Sequence, residues 1–295
     1  MGPPPEPVPP NVAAASSVPW KDPRFFNGVE KVRTMCGVPA ADREDDALIG
    51  MMLDRFKWDY AKAADMYKLS VKRRRELGLP KIKHDIISRE LRLEEFPHHQ
   101  AVMPVIPIFA STSLKAPASS SAPTSEATQC TGTPPAPPVI GCYEMRYGQG
   151  DPSSDKDSLV TPADFTDYML YVTQWRWIQC ERYARAHGEL GFWSMIHDLS
   201  CPTGFMSLWS KSRAVFNNYL KPVEEACGGL FPPMVQKILI INVPTLFSPV
   251  WSIVSTFLPQ QHKERIVLLT TSKTTAKELK RYMPEEHLPP HVPRG

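Results

Sequence analysis

Two apolar rhythms divide the chain, and two stretches have no rhythm at all. From Phe25 the spacing is helical. Leu48, Ile49, Met52 and Leu53 form one short apolar stripe, and Ala63, Ala64, Tyr67 and Val71 share one face of a second helix that Asp59 is placed to cap. Gly78 followed by Pro80 reads as the stop of that helix. These segments predict a small N-terminal helical domain over residues 25–100. From Val139 strands and helices alternate. Val139 to Tyr147 reads as a strand, and Thr161-Pro162-Ala163-Asp164 opens a helix to about His187, with capping-box spacing and proline in its first turn. Phe192 to Leu199 reads as a strand, Phe205 to Cys227 as a helix, and Lys237 to Val243 as a β-branched buried strand. Ser248 and Pro249 start a helix over Val250 to Leu258. A strand over Arg265 to Leu269 and a helix over Thr275 to Tyr282 come next. The alternation predicts an α/β fold over residues 139–295, with a mixed, largely parallel sheet flanked by helices.

The two unpatterned stretches are a Pro-rich tail, residues 1–24, and a Pro/Ser/Thr-rich insertion, residues 101–138, of low complexity from about Ser111. Much of the proline, 32 residues in all, falls in them. Such compositions bury too little apolar surface to offset the entropy of ordering, so both are expected to be disordered. Their PxxP spacings offer a weak ligand for an SH3-type partner.

Charge and motifs narrow the function by exclusion. A net charge of +3 lacks the concentrated basic face that phosphate-driven binding needs, which sets nucleic acid aside as a partner. Lys72-Arg73-Arg74-Arg75 reads as a solvated helix end that complements the helix dipole. The six cysteines form no CxxC pair, and His98-His99 has no third ligand at a metal spacing, so reduced cytosolic thiols, no metal and no cofactor are expected. No GxSxG elbow, P-loop or dinucleotide fingerprint occurs, and neighbouring His197 and Asp198 point to opposite faces of their strand. A non-enzymatic protein is expected. The uncharged run Ile238 to Gln261 has the length of a membrane span, but Asn242, Pro244, Pro249 and Pro259 break it into a buried strand and a separate short helix. With no signal-peptide pattern at the N-terminus, the expected location is cytoplasmic, with peripheral membrane association.

The run from Lys237 to Trp251 (KILIINVPTLFSPVW), followed by Phe257-Leu258, Arg265 to Leu269 (RIVLL) and Leu288-Pro289, resembles the CRAL-TRIO lipid-binding family. Val139 to Glu144 (VIGCYE) and Ile196-His197-Asp198-Leu199 are similar to two upstream strands of that family. Asp45 to Leu48, Phe56 to Asp59 and Ala61 to Ala63 are similar to its N-terminal helical domain. The Gly-Gly pair usual after Leu-Pro is absent, as in a C-terminus that has been truncated. The resemblance implies a sheet flooring an apolar pocket and a gate helix over its mouth. The gate would be Val250 to Leu258, with Phe247, Val250, Trp251, Val254, Phe257 and Leu258 at spacings of three and four. Trp193, Met195 and Trp177 would join them in lining the pocket.

The headgroup positions depart from the family pattern. Where phosphoinositide-binding members carry Thr, Lys and Glu, this chain reads His262, Arg265 and Pro233. A phosphoinositide site is therefore not carried over, although His262 and Arg265 remain candidate headgroup contacts. The resemblance implies binding and intermembrane transfer or presentation of a hydrophobic small molecule or phospholipid, with transient contact to a membrane surface. The altered headgroup positions and the Pro-rich segments favour an alternative, a protein-interaction scaffold with a vestigial pocket.

Overall fold

The computed structural model describes residues 23–39, 44–104, 106–113, 138–146, 160–200, 216–232, 234–244, 251 and 263–292. The chain opens with four helices, α1 (Pro23–Cys36), α2 (Asp46–Arg55), α3 (Tyr60–Glu76) and α4 (Leu79–Ser88). Phe25, Val29 and Val32 of α1, Leu48, Met52 and Leu53 of α2, and Ala63, Ala64 and Tyr67 of α3 belong to one buried apolar cluster. Gly50 lets α1 and α2 approach closely, because a Cβ there would stand 2.2 Å from the Phe25 ring. The Asp59 carboxylate accepts a hydrogen bond from the Lys62 amide at 3.1 Å and caps α3 as expected.

Gly78 does end α3, in the left-handed conformation (φ 69°), but Pro80 does not close the helical run. It lies in the first turn of α4, where a missing N–H costs nothing. A 3-10 turn (Leu93–Glu95) and the short α5 (His99–Val102) lead into the sheet. Buried charges join the N-terminal helices to one another and to the long helix α6 (Pro162–His187). Arg33 Nη1 lies 2.6 Å from Asp46 Oδ1, and Lys83 Nζ lies 2.7 Å from Glu44 Oε1 and 2.9 Å from Glu181 Oε2 of α6.

Five strands form the sheet in the order of the chain: β1 (Ile108–Thr112), β2 (Val139–Arg146), β3 (Phe192–Asp198), β4 (Val235–Val243) and β5 (Ile266–Thr270). β1 and β2 are antiparallel, and the remaining pairs are parallel. β1 corrects the expected limits of the insertion. Ile106 and Ile108 are buried, and residues 108–112 pair along their whole length with β2 from Ile108↔Met145 to Thr112↔Gly141. Pairing with a distant strand supplies the order that local composition does not. Residues 114–137 lie outside the described residues.

α6 comes after β2 and begins with the expected capping box. Asp164 N donates to Thr161 Oγ1 at 3.1 Å, and Thr161 N donates to Asp164 Oδ2 at the same distance. Of the helix expected over Phe205 to Cys227, residues 205–215 lie outside the described residues. The remainder is a π-helical turn (Phe216–Leu220) running into α7 (Lys221–Cys227), widened where Pro222 removes an amide donor. The last expected helix is a single turn, α8 (Ala276–Leu279), capped by Thr275. The chain then turns so that Met283 is buried and the Tyr282 carbonyl accepts a hydrogen bond from Ser194 Oγ at 3.1 Å. Arg73, near the end of α3, donates to the carbonyls of Glu225 (2.8 Å), Ala226 (3.2 Å) and Gly228, and Ser70 donates to the Leu230 carbonyl. The core of the N-terminal helices is thereby continuous with the core over the sheet.

Candidate functional site

Alternate residues of a strand face opposite sides of a sheet, and the registers of β2 to β5 align them in rows. One row reads Tyr143, Met195, Ile238 and Ile266, and the next on the same face reads Met145, His197, Ile240 and Leu268. Tyr143 and Met145, on β2, are buried in the cluster that contains α6. From β3 onward the cover thins. Met195, His197, Ile238, Ile240, Ile266 and Leu268 are all only partly buried.

The opposite face of these strands is largely sealed, with Val267 beside Leu239 only partly buried. Ile196, Leu239 and Ile241 are 0% exposed, and with Leu269 they pack against Ala276, Leu279, Met283, Leu288 and Val292. The same three strands thus present a closed core on one side and an apolar surface with incomplete cover on the other. Burial on this second face matters electrostatically as well, since desolvation lowers the His197 imidazole to about 4. At neutral pH the His197 ring is therefore uncharged.

The structure sorts the residues expected at the pocket. Met195 sits within the open rows. Trp193 shares its face but is fully buried, with its Nε1 donating to the Arg176 carbonyl at 3.3 Å and its ring 5.6 Å from that of Trp175. Gly141, beside it on β2, makes room for the indole, because a Cβ there would meet the ring at 2.5 Å. The Arg176 guanidinium lies over both Tyr143 (5.1 Å) and Trp193 (5.7 Å), closing this end of the face. Trp177 is also fully buried and stacks on Phe231 at 5.2 Å, away from the open rows. Both tryptophans are buried in the core cluster that contains α6.

Arg265 stands at the entry to β5. Its Nη1 donates to the Val235 carbonyl at 2.9 Å. Burial lowers its pKa, and burial raises the Asp54 carboxyl of α2 to about 6, a rise that the Arg265 charge restrains. The guanidinium thus bonds to β4 through Nη1 and lies close enough to Asp54 of α2 for their charges to interact. Trp251 is helical and partly buried. Phe247, Val250, Val254, Phe257, Leu258, His262 and Pro233 lie outside the described residues.

His98 and His99 form no joint site. His98 approaches Asp164 and Asp167 at 3.6 and 3.4 Å, whereas His99 Nδ1 lies 3.3 Å from the Tyr168 hydroxyl. His197 and Asp198 point to opposite faces, as their adjacency requires. Asp198 instead accepts from Ser200 N (2.8 Å), Ser200 Oγ (3.0 Å) and Asn242 Nδ2 (2.7 Å). No helix among the described residues is long and apolar enough to cross a membrane.

Sequence reasoning did not single out Ile238, Ile240, Ile266 and Leu268 as a floor. The signal was available in the period-two alternation of two adjacent β-branched strands, but which parity faces the sealed side depends on the C-terminal segment that packs there. No curated protein matches the chain. Among solved structures, the crystal structure of Sfh5 is similar in fold, with a TM-score of 0.55 at 12% identity over 89% of this chain and 84% of that one. The family model of the CRAL/TRIO domain matches residues 142–292, which include β3, β4, β5, α6, most of β2 and the sealing C-terminal segment, and the chain belongs to that family.

Proposed function

We propose that this protein holds a hydrophobic ligand against the Met195–Ile238–Ile266 and His197–Ile240–Leu268 rows and carries or presents it between membranes without chemically altering it. Lipids and other small hydrophobic molecules are the ligands of the CRAL/TRIO family. The observation that carries the reading is the contrast between the two faces of β3 to β5, one sealed and one left with incomplete cover. An exposed methylene costs about 0.8 kcal/mol, so a sixteen-carbon chain in water costs about 12 kcal/mol. An apolar floor with a closing cover removes most of that penalty.

In this reading the cover is the segment around Trp251. A right-handed crossover between parallel neighbours β4 and β5 would carry their connection over the same face on which β2–α6–β3 places its helix, which is the face of the open rows. Contact with a membrane is transient and serves exchange of the ligand.

Native mass spectrometry of protein purified from cells, with lipid uptake from liposomes, tests the proposal. A bound hydrophobic molecule is expected in the wild-type chain. Trp251→Asp, which puts a charge on the apolar side of the cover, should abolish loading while the protein stays folded. A wild-type chain that is consistently empty and takes up no lipid would instead favour an interaction scaffold. Normal loading of Trp251→Asp would remove this segment from the role of cover.

A further inference from the structure

On the sealed face, opposite the ligand floor, three ionisable side chains from distant parts of the chain converge. Glu144 of β2 and Asp198 of β3 are both 0% exposed, and His291 reaches them from the C-terminal segment. His291 Nε2 lies 3.2 Å from Glu144 Oε1 and 3.4 Å from Asp198 Oδ2, and the three ligand atoms all fall within 4.8 Å of one another. Registers explain the meeting. Glu144 pairs with Ile196 and Arg146 with Asp198, so Glu144 and Asp198 are diagonal neighbours on one face.

Two features distinguish this cluster from an ordinary ion pair. Charge-assisted hydrogen bonds settle at about 2.7–2.9 Å, and both contacts of His291 are longer. Ligands 2.0–2.1 Å from a tetrahedral metal ion stand about 3.3 Å apart, close to the two distances from His291, with the two carboxylate oxygens within 4.8 Å of each other. The second feature is Glu144 itself. Its fully buried carboxylate accepts no well-aligned hydrogen bond among the described residues, and its one close polar contact is the ion pair with His291 at 3.2 Å, thin compensation for a group removed from water.

The geometry points to a divalent first-row metal site, of the zinc class, formed by Glu144, Asp198 and His291. The surroundings suit it. Asn242 Nδ2 and the Ser200 amide hold Asp198 Oδ1 at 2.7 and 2.8 Å, leaving Oδ2 turned toward His291. Such bonds to a ligating carboxylate fix its orientation. Asn242 reaches this position through a left-handed backbone (φ 55°) at the irregularity where the β4–β5 register shifts. The two carboxylates neutralise the ion, while Ser200 Oγ (3.0 Å) and Arg146 Nε (3.4 Å) also face Asp198 Oδ2. The half-buried His291 leaves a side open for entry and for a water as fourth ligand. The ion would tie the C-terminal segment carrying Leu288 and Val292 to β2 and β3, a structural role independent of any ligand on the other face.

Co2+ is the probe, added to the full chain after chelator treatment. One equivalent is expected to give the visible absorption of a tetrahedral N/O site, with Zn2+ displacing it and raising the thermal midpoint. His291→Ala should lose that equivalent in both absorption and metal analysis. His291→Cys should keep it and add a thiolate-to-cobalt charge-transfer band. A wild-type chain that shows no such absorption overturns the proposal, and so does one whose bound equivalent survives His291→Ala unchanged. A cysteine cannot replace an imidazolium in a purely ionic contact, so failure of His291→Cys to bind while its fold is intact by circular dichroism also counts against the site.

Discussion

Ile240 and Ile241 are neighbours on β4 that face opposite sides of the sheet, and replacing each by alanine separates ligand binding from stability. Ile241 is 0% exposed in the sealed core with Leu239, Leu269 and Leu279. Truncating it removes three carbons and leaves a cavity, at a cost of about 3 kcal/mol of folding stability. Ile240 lies in the open row between His197 and Leu268 and is only partly buried, so the same truncation should cost the ligand-free protein about 1 kcal/mol or less. If a ligand completes the cover of Ile240, the three lost carbons weaken its binding by about 2 kcal/mol, roughly a thirtyfold loss of affinity. Urea unfolding of lipid-stripped protein measures the first quantity, and uptake of a fluorescent lipid from liposomes measures the second. The expected result is a crossed pattern, with Ile241→Ala less stable but still able to load and Ile240→Ala nearly as stable but deficient in loading. Equal destabilisation by the two changes, with uptake by Ile240→Ala at the wild-type level, would show that the open rows are ordinary core and refute the assignment of the floor.

Particular contacts carry further consequences. Asp46→Ala leaves Arg33 buried without the carboxylate 2.6 Å away, and should lower the unfolding free energy in urea by about 3–5 kcal/mol. Asp54 is raised to about 6, above its value in the unfolded chain, so the native state binds the extra proton between about pH 4 and 6 and stability falls as pH rises through that window. Asp54→Asn should flatten this part of the pH–stability curve and be more stable than the wild type above pH 6, as measured by thermal unfolding across pH. Arg73→Ala removes a guanidinium shared by three carbonyls at the end of α7 and should speed amide exchange across residues 221–228. Arg73→Lys should restore protection only in part, because an ammonium lacks the planar fork.

What the sequence made legible was what local pattern controls. The β-branched run of β4 and the Thr161 capping box each carry their signal within a few residues, and both elements form where expected. β1 carries no such signal: Ile108 to Thr112 reads IFAST at the edge of a low-complexity stretch, and its order comes from pairing with β2 across residues 113–138. α4 was hidden because Gly78 and Pro80 signal an end equally well as a fresh start. Strand parity correctly places Trp193 and Met195 on one face, but parity says nothing about how far α6 extends over that face. Trp193 is fully buried there, whereas Met195, packed against the same cluster, stays partly exposed. The Glu144–Asp198–His291 meeting is least legible of all, because it needs the β2–β3 register and the return of the C-terminal segment together.

The partition of the sheet also connects function with stability. A fold that packs one face of β3 to β5 against a short C-terminal segment leaves apolar rows on the other face that are only partly buried among the described residues, and in the proposed function a ligand finishes burying them. Each of Ile238, Ile240, Ile266 and Leu268 then contributes less than its full transfer free energy to the ligand-free protein, and on the proposed function the balance would be recovered when a hydrophobic molecule covers the rows. Binding and folding are thereby linked, since a molecule that binds only the native state stabilises it by mass action. The same linkage explains why the sealed face must be robust. The C-terminal segment from Met283 to Val292 packs against the backs of the strands whose fronts carry the partly buried rows, so its loss would disturb the registers that align His197 with Ile240 and Leu268. A fastening at Glu144, Asp198 and His291 lies where it holds that segment in place while touching nothing on the ligand side.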